Sequence, residues 1–143
     1  MMIFYRMSAL SRAQEELLLQ RIQKEVSGDI IYLRTELIYY IDAERPLAGE
    51  EMGKLKWLLA ETFESEAFDD ISSLYGNNCA AVLFEVGTRL NRVTPWSSNA
   101  VSILKACGID CIKRIEVSRR YEFHLKPNAV LGEGQWQKIA ALI

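Results

Sequence analysis

The chain has 143 residues, 50% hydrophobic and 25% charged, the balance of a globular domain with room for a core. Its 17 basic and 19 acidic residues leave a net charge of −2, which gives no electrostatic basis for binding nucleic acid or an anionic membrane surface. No apolar run approaches the roughly 20 residues of a membrane span, and the start MMIFYRMSALSR lacks the basic leader and apolar core of a signal peptide, so none is expected.

In chain order, Ile3 to Tyr5 is a short strand candidate, and Ser8 or Ser11 can cap the helix that follows. Leu18, Ile22 and Val26 form the inner stripe of that helix, with Leu19 beside it. Gly28-Asp29 is a turn. Ile31, Leu33, Leu37, Tyr39 and Ile41 then mark a long strand, with a bend or bulge expected near Arg34-Thr35. Pro46 breaks the chain, and a helix runs from about Ala48 to Glu61 with Met52, Leu55, Leu58 and Leu59 inside. The segment from Glu61 to Asn78 carries Glu61, Glu64, Glu66, Asp69 and Asp70 and reads as a linker or loop closed by Gly76-Asn77-Asn78. Ala80 to Phe84 is the next strand.

The stretch from Thr94 to Leu125 organises the rest. Pro95 ends any preceding regular structure, and Ser97 or Ser98 can cap a helix. Ala100, Val101, Leu104 and Cys107 share one face of it, and Gly108 stands where a helix end needs positive φ. Ile115, Val117, Tyr121, Phe123 and Leu125 then alternate as a half-buried strand, with Arg119 the one break. Pro127 follows, and a last helix starts near Gly132. The three cysteines, Cys79, Cys107 and Cys111, read as reduced, buried thiols of a cytoplasmic protein rather than a metal set, since Gly108 ends the helix between the only close pair.

The chain also repeats itself. At an offset of 84 residues, Ile31 meets Ile115, Leu33 meets Val117, Leu37 meets Tyr121, Tyr39 meets Phe123 and Ile41 meets Leu125. The match runs without a gap into the next helix, where Leu47 meets Leu131, Met52 meets Trp136, Lys54 meets Lys138, Leu55 meets Ile139 and Leu58 meets Leu142. The expected fold is therefore α+β: one domain of two βαβα halves, residues 1–61 and 79–143, joined by the acidic linker 62–78. Each half alone would leave a sheet face bare, and an antiparallel sheet with helices on one side resolves that. Ile143 falls in mid-turn of its helix by comparison with Leu59, so a longer parent chain is expected.

The run Thr94-Pro95-Trp96-Ser97-Ser98-x-Ala100, then Cys107-Gly108 and a strand carrying Arg119-Arg120-Tyr121, resembles the N-terminal domain of the large phosphoribosylformylglycinamidine synthases. The likeness covers the whole chain and is strongest from Thr94 to Tyr121. In that family the domain is similar to a dimer of the small PurS protein fused into one chain. The resemblance implies that the parent enzyme is an ATP- and glutamine-dependent ligase of purine biosynthesis. It converts formylglycinamide ribonucleotide to formylglycinamidine ribonucleotide, with ATP and magnesium as its cofactors. It also implies that the domain's partners are the synthetase and glutaminase domains of the same enzyme.

The chain's own residues offer little chemistry. The single histidine, His124, alternates to the outside of its strand, no glycine-rich phosphate loop is present, and no cysteine stands in a nucleophile elbow. No catalytic residue, metal ligand or cofactor site is expected within the chain. Arg114, Glu116, Arg119, Arg120 and Tyr121 on the second long strand read either as an ordinary charged sheet face or as an inter-domain or substrate-facing contact. Thr94 and Trp96 belong to the same candidate surface, Trp96 as a packing anchor or an interface hot spot. Ser97, Ser98 and Asn99 read as helix-start residues that could also meet an anion. The alternative function is a free-standing PurS-like interaction or small-ligand-binding module.

Overall fold

The computed structural model of the chain describes residues 1–60, 68–74, 81–89 and 91–143. Among the described residues the elements run β1 (Met2–Met7), α1 (Arg12–Glu25), β2 (Ile30–Ala43), α2 (Gly49–Leu59), β3 (Phe68–Asp69), β4 (Ala81–Gly87), α3 (Pro95–Ala106), β5 (Ile112–Leu125) and α4 (Glu133–Leu142). The strands form one antiparallel sheet in the order β3-β1-β2-β5-β4, so the two long strands lie side by side at its centre. The fold is α+β, as the alternating strand and helix patterns predict.

All four helices cover one face. Leu37, Tyr39 and Ile41 of β2 pack with Ile115 and Val117 of β5, Leu55 and Leu59 of α2, and Leu104 of α3. Leu33 of β2 packs with Tyr121 and Phe123 of β5, Ile22 of α1, and Ile139 of α4. Apart from Ile30 and Ile112, which lie beyond the register shifts at the two ends of the central strand pair, the β2 and β5 residues of both clusters are odd-numbered, which fixes the side. The helices share cores across the chain: α1 and α4 contribute to one cluster, and α2 and α3 to the other.

Local signals set the helix ends. Ser11 caps α1, its hydroxyl accepting from Gln14 N–H while the Gln14 amide oxygen accepts from Ser11 N–H. Glu51 and Gln135 reach back in the same way to Ala48 and Gly132 at the starts of α2 and α4. The cap of α3 differs from expectation. Thr94 is the cap, with Pro95 at the first helical position and Ser97 inside the helix. A proline whose fixed φ already suits a helix leaves the residue before it as the cap, so neither Ser97 nor Ser98 has that role. Gly108 takes positive φ, at 87°, directly after α3.

Other expectations give way to tertiary context. The long strand β2 runs straight through Arg34-Thr35, and its register shifts fall between Ile30 and Tyr32 and between Asp42 and Ala43. The first shift turns Ile30 inward and leaves Ile31 exposed, so Ile31 and the buried Ile115 are not equivalent in packing. Cys107 is exposed at the end of α3, whereas Cys111 is buried at the start of β5. His124 is half-buried and paired with Glu122 rather than free on the surface. Part of the expected linker is ordered: Phe68 pairs with Arg6 in the sheet and stacks on Phe4 at 5.2 Å. Glu61, Glu64, Glu66, Gly76, Asn77, Asn78, Cys79 and Ala80 lie outside the described residues.

Candidate functional site

The face of the sheet without helices is the polar one, and its centre is a pair of charges. Glu36 of β2 lies directly opposite Arg120 of β5. Glu36 has no solvent exposure, and such a carboxylate needs hydrogen bonds to offset its lost hydration. They come from the segment after β3. Ser72 donates its hydroxyl to Oε2 at 2.7 Å, and Ser73 donates its backbone N–H at 2.9 Å and its hydroxyl at 3.1 Å to Oε1. Residues 70–74 thus fold onto this face and bring in Leu74, which is buried.

Arg120 reaches Glu36 at 3.9 Å and Glu85 of β4 at 3.3 Å, and its guanidinium lies over the Tyr5 ring. Glu85 also accepts from the hydroxyls of Ser118, at 2.8 Å, and Tyr40. Burial and then the Glu85 carboxylate push the Tyr40 phenol up from 10.0 to about 12. Burial pushes Glu85 upward in turn, but hydrogen bonds from Tyr40, Ser118 and Arg120 outweigh it and hold the carboxyl below its usual range. The strand β4 approaches closely here. A Cβ on Gly87 would stand 2.8 Å from the Ser118 hydroxyl, so only glycine fits opposite Ser118.

A second cluster forms where β5 runs past the end of β4. The Thr94 hydroxyl accepts from Ser97 N–H at 3.0 Å and donates to Glu116 at 2.9 Å, while Thr94 N–H donates to the other carboxylate oxygen at 3.2 Å. Arg114 donates to Glu116 at 3.1 Å and to the Arg92 carbonyl. Ser97, fully buried, accepts the N–H of Ile115, a strand donor that β4 no longer reaches. The other half has a similar device: Glu15 of α1 accepts the N–H of Thr35 at 3.0 Å, just beyond the end of β1.

Between the two clusters the open face is hollowed into a pocket of about 450 Å³, lined by Tyr40, Asp42, Glu85, Arg114 and Glu116 among others. Each polar group described in the two clusters already has a partner within them. The hydroxyls of Ser72, Ser73, Thr94 and Ser118 donate to carboxylates, and the raised Tyr40 phenol stays protonated at neutral pH. The arrangement neutralises charge and fixes loops.

The residues singled out from the sequence thus divide. Thr94, Ser97, Arg114 and Glu116 come together at the start of α3. Arg120 belongs to the central pair. Trp96 is exposed at the helix start, its ring centroid 6.4 Å from that of Tyr39, and Ser98 and Asn99 are exposed beside it. Arg119 and Tyr121 point to the helix side, Tyr121 buried in the core and Arg119 exposed. Sequence reading missed Glu36, Glu85 and Tyr40, although Glu36 stands at the 84-residue offset from Arg120. A further cluster lies at the other end: Glu51, Asp110 and Cys111 hold possible ligand atoms within 4.8 Å of one another. Arg45 already bridges the two carboxylates there, at 2.8 and 3.2 Å, and holds Glu51 down at about 2.

A family described as formylglycinamide ribonucleotide amidotransferase N-terminal matches residues 36–143. The chain is 38% identical over 143 residues to a probable phosphoribosylformylglycinamidine synthase, chloroplastic/mitochondrial, of Arabidopsis thaliana, covering 98% of this chain and 10% of that protein. It is 36% identical over 146 residues to the phosphoribosylformylglycinamidine synthase of Dictyostelium discoideum, covering 98% of this chain and 11% of that protein. With the Drosophila melanogaster synthase the identity is 32% over 123 residues, 82% of this chain and 9% of that protein. The chain therefore spans about a tenth of the length of the curated relatives it matches.

Proposed function

The chain belongs to the formylglycinamide ribonucleotide amidotransferase N-terminal family, and from that premise we propose that it works as the N-terminal domain of a phosphoribosylformylglycinamidine synthase. In that enzyme glutamine supplies nitrogen, ATP and magnesium activate the amide of formylglycinamide ribonucleotide, and the product is formylglycinamidine ribonucleotide. The domain's own part is structural: it packs against the synthetase and glutaminase domains and holds them at a fixed separation. The observation that carries this is the near-complete match of the chain to one tenth of each relative. The mutual pairing of the polar groups in both clusters supports a scaffold rather than a reaction centre. We place the enzyme in the cytoplasm on the free thiols of Cys107 and Cys111 among the described residues, although the Arabidopsis relative is named chloroplastic/mitochondrial.

Internal duplication is part of the same proposal. Positions 84 apart exchange places across the central strand pair: Leu33 faces Phe123, and their counterparts Val117 and Tyr39 also face each other. Glu36 faces Arg120, its own counterpart, so a two-fold relation between PurS-like halves would pass through that pair.

The test is stoichiometric. Full-length enzyme should hydrolyse close to one glutamine per amidine formed. Trp96→Ala and Arg120→Ala in that enzyme should raise glutamine consumed per product while leaving glutaminase turnover intact. Tight coupling in a protein lacking residues 1–143 would sink the scaffold reading.

A further inference from the structure

Along β5 the side chains on the helix side are Ile115, Val117, Arg119, Tyr121, Phe123 and Leu125, and Arg119 is the single charge among them. Its neighbours across the sheet are also apolar, Leu37 on β2 and Val86 on the outer strand β4. This is the seam between the two cores. Leu37 and Val117 pack toward the cluster under α2 and α3, and Tyr121 and Ile143 toward the cluster under α1 and α4. A cleft of about 290 Å³ opens along the seam, lined by these residues and Val86.

Arg119 is exposed in that cleft, and among the described residues it has no ion-pair or hydrogen-bond partner. Arg114 and Arg120 on the same strand are both held by carboxylates. A guanidinium ringed by Leu37, Val86, Val117 and Tyr121 is hydrated while the cleft is open. Once apolar side chains close over it, a carboxylate beside it is attracted in a lower dielectric and can bond it at two points. A phosphate would call for several more donors, and apart from Ser118 and the Tyr121 phenol the rest of the lining around Arg119 is apolar.

We propose that this cleft seats a polypeptide segment presenting an Asp or Glu between apolar side chains, contributed by the part of the longer protein outside residues 1–143, with Arg119 as its anchor. The inference rests on the reading that the chain is one domain of a longer enzyme, of which it spans about a tenth. Charge complementarity names the occupant, and the size of the cleft suits a few side chains rather than a small folded unit.

The test uses the full-length protein with a photo-crosslinking residue at Val86, 47% exposed on β4, and in a second variant at Trp57, 62% exposed on α2. Capture from Val86 of a segment beyond residue 143 that contains an acidic residue is expected. Arg119→Glu should then cut the yield about tenfold, the size of a rim-to-core charge contact, and reversing the captured acid to Arg should restore it. Hydrogen exchange in β2 and β5 should be unchanged by Arg119→Glu, which separates lost docking from lost fold. Capture from Trp57 with none from Val86, or a yield indifferent to Arg119→Glu, overturns the cleft and leaves the multidomain reading standing. Capture from neither position likewise overturns the cleft.

Discussion

The two faces of the sheet are built from alternate residues of the same strands, and they exclude water by opposite means. On the helix side, Leu33, Tyr39, Ile41, Ile115, Tyr121 and Phe123 disappear under apolar helix faces. On the other side, Glu36, Glu116, Ser118 and Glu122 are equally buried, yet they are covered by a loop, an outer strand and each other. Apolar closure needs only the right period and volume, and many side chains can supply it. Polar closure needs each donor to meet a particular acceptor, because a buried group left unpaired costs more than the bond itself gained. The first face therefore tolerates substitution by shape, and the second only by chemistry.

The sharpest way to break this contrast is on the apolar side. Phe123 is fully buried with the rings of Phe84, Tyr121 and Trp136 around it, and Phe123→Ala should cost about 3–5 kcal/mol in urea unfolding. Glu36→Ala should cost about 3 kcal/mol, since it strands two serines and removes one of Arg120's carboxylate partners, while Glu36→Gln, which keeps an acceptor, should cost less. A Glu36→Ala protein as stable as the parent would mean that charges do not close the open face. Thr94→Ala removes both a cap and a bond to Glu116, for about 1–2 kcal/mol, and Thr94→Ser should recover most of it.

Tyr40 gives a finer test through pH. Its phenol is harder to ionise folded than unfolded, so the associated stability is complete below pH 10.0 and declines as pH rises toward about 12. Tyr40→Phe should flatten the stability curve in that window without moving it at pH 7 by as much as Thr94→Ala does. The smallest effect expected is that of Arg119→Ala on unfolding, within about 0.5 kcal/mol, because no hydrogen bond or ion pair among the described residues holds that side chain.

The same contrast explains what could be read from the sequence. Alternation along Ile115 to Leu125 and the 3.6-residue stripes of α1 and α2 are local, and they locate the helix-covered core correctly. Thr94 was legible too, since a Thr-Pro pair ahead of a helical pattern marks cap and first residue, but two nearby serines offered a competing reading. Glu36 was not legible. In TELIYYI it reads as an ordinary outward residue, and its burial depends on Ser72 and Ser73, 36 and 37 positions away. Likewise Ile30 and Ile31 differ only through a register shift that neither residue specifies.

The crossed sharing of cores, α1 with α4 and α2 with α3, bears on how the domain is made. Ile22 and Leu33 are synthesised early, but the core they enter also needs Phe123, Leu131 and Ile139 from near the end. A nascent chain emerging from the ribosome cannot complete its first half and set it aside. The stripe of α1 packs on β2 of its own half, but the core they share stays incomplete until β5 and α4 arrive, a non-local closure of the kind that slows folding and invites misassembly between neighbouring chains on one messenger. Two separately made halves would each bring a layer of strands and helices, and would complete both cores only by joining edge to edge along β2 and β5.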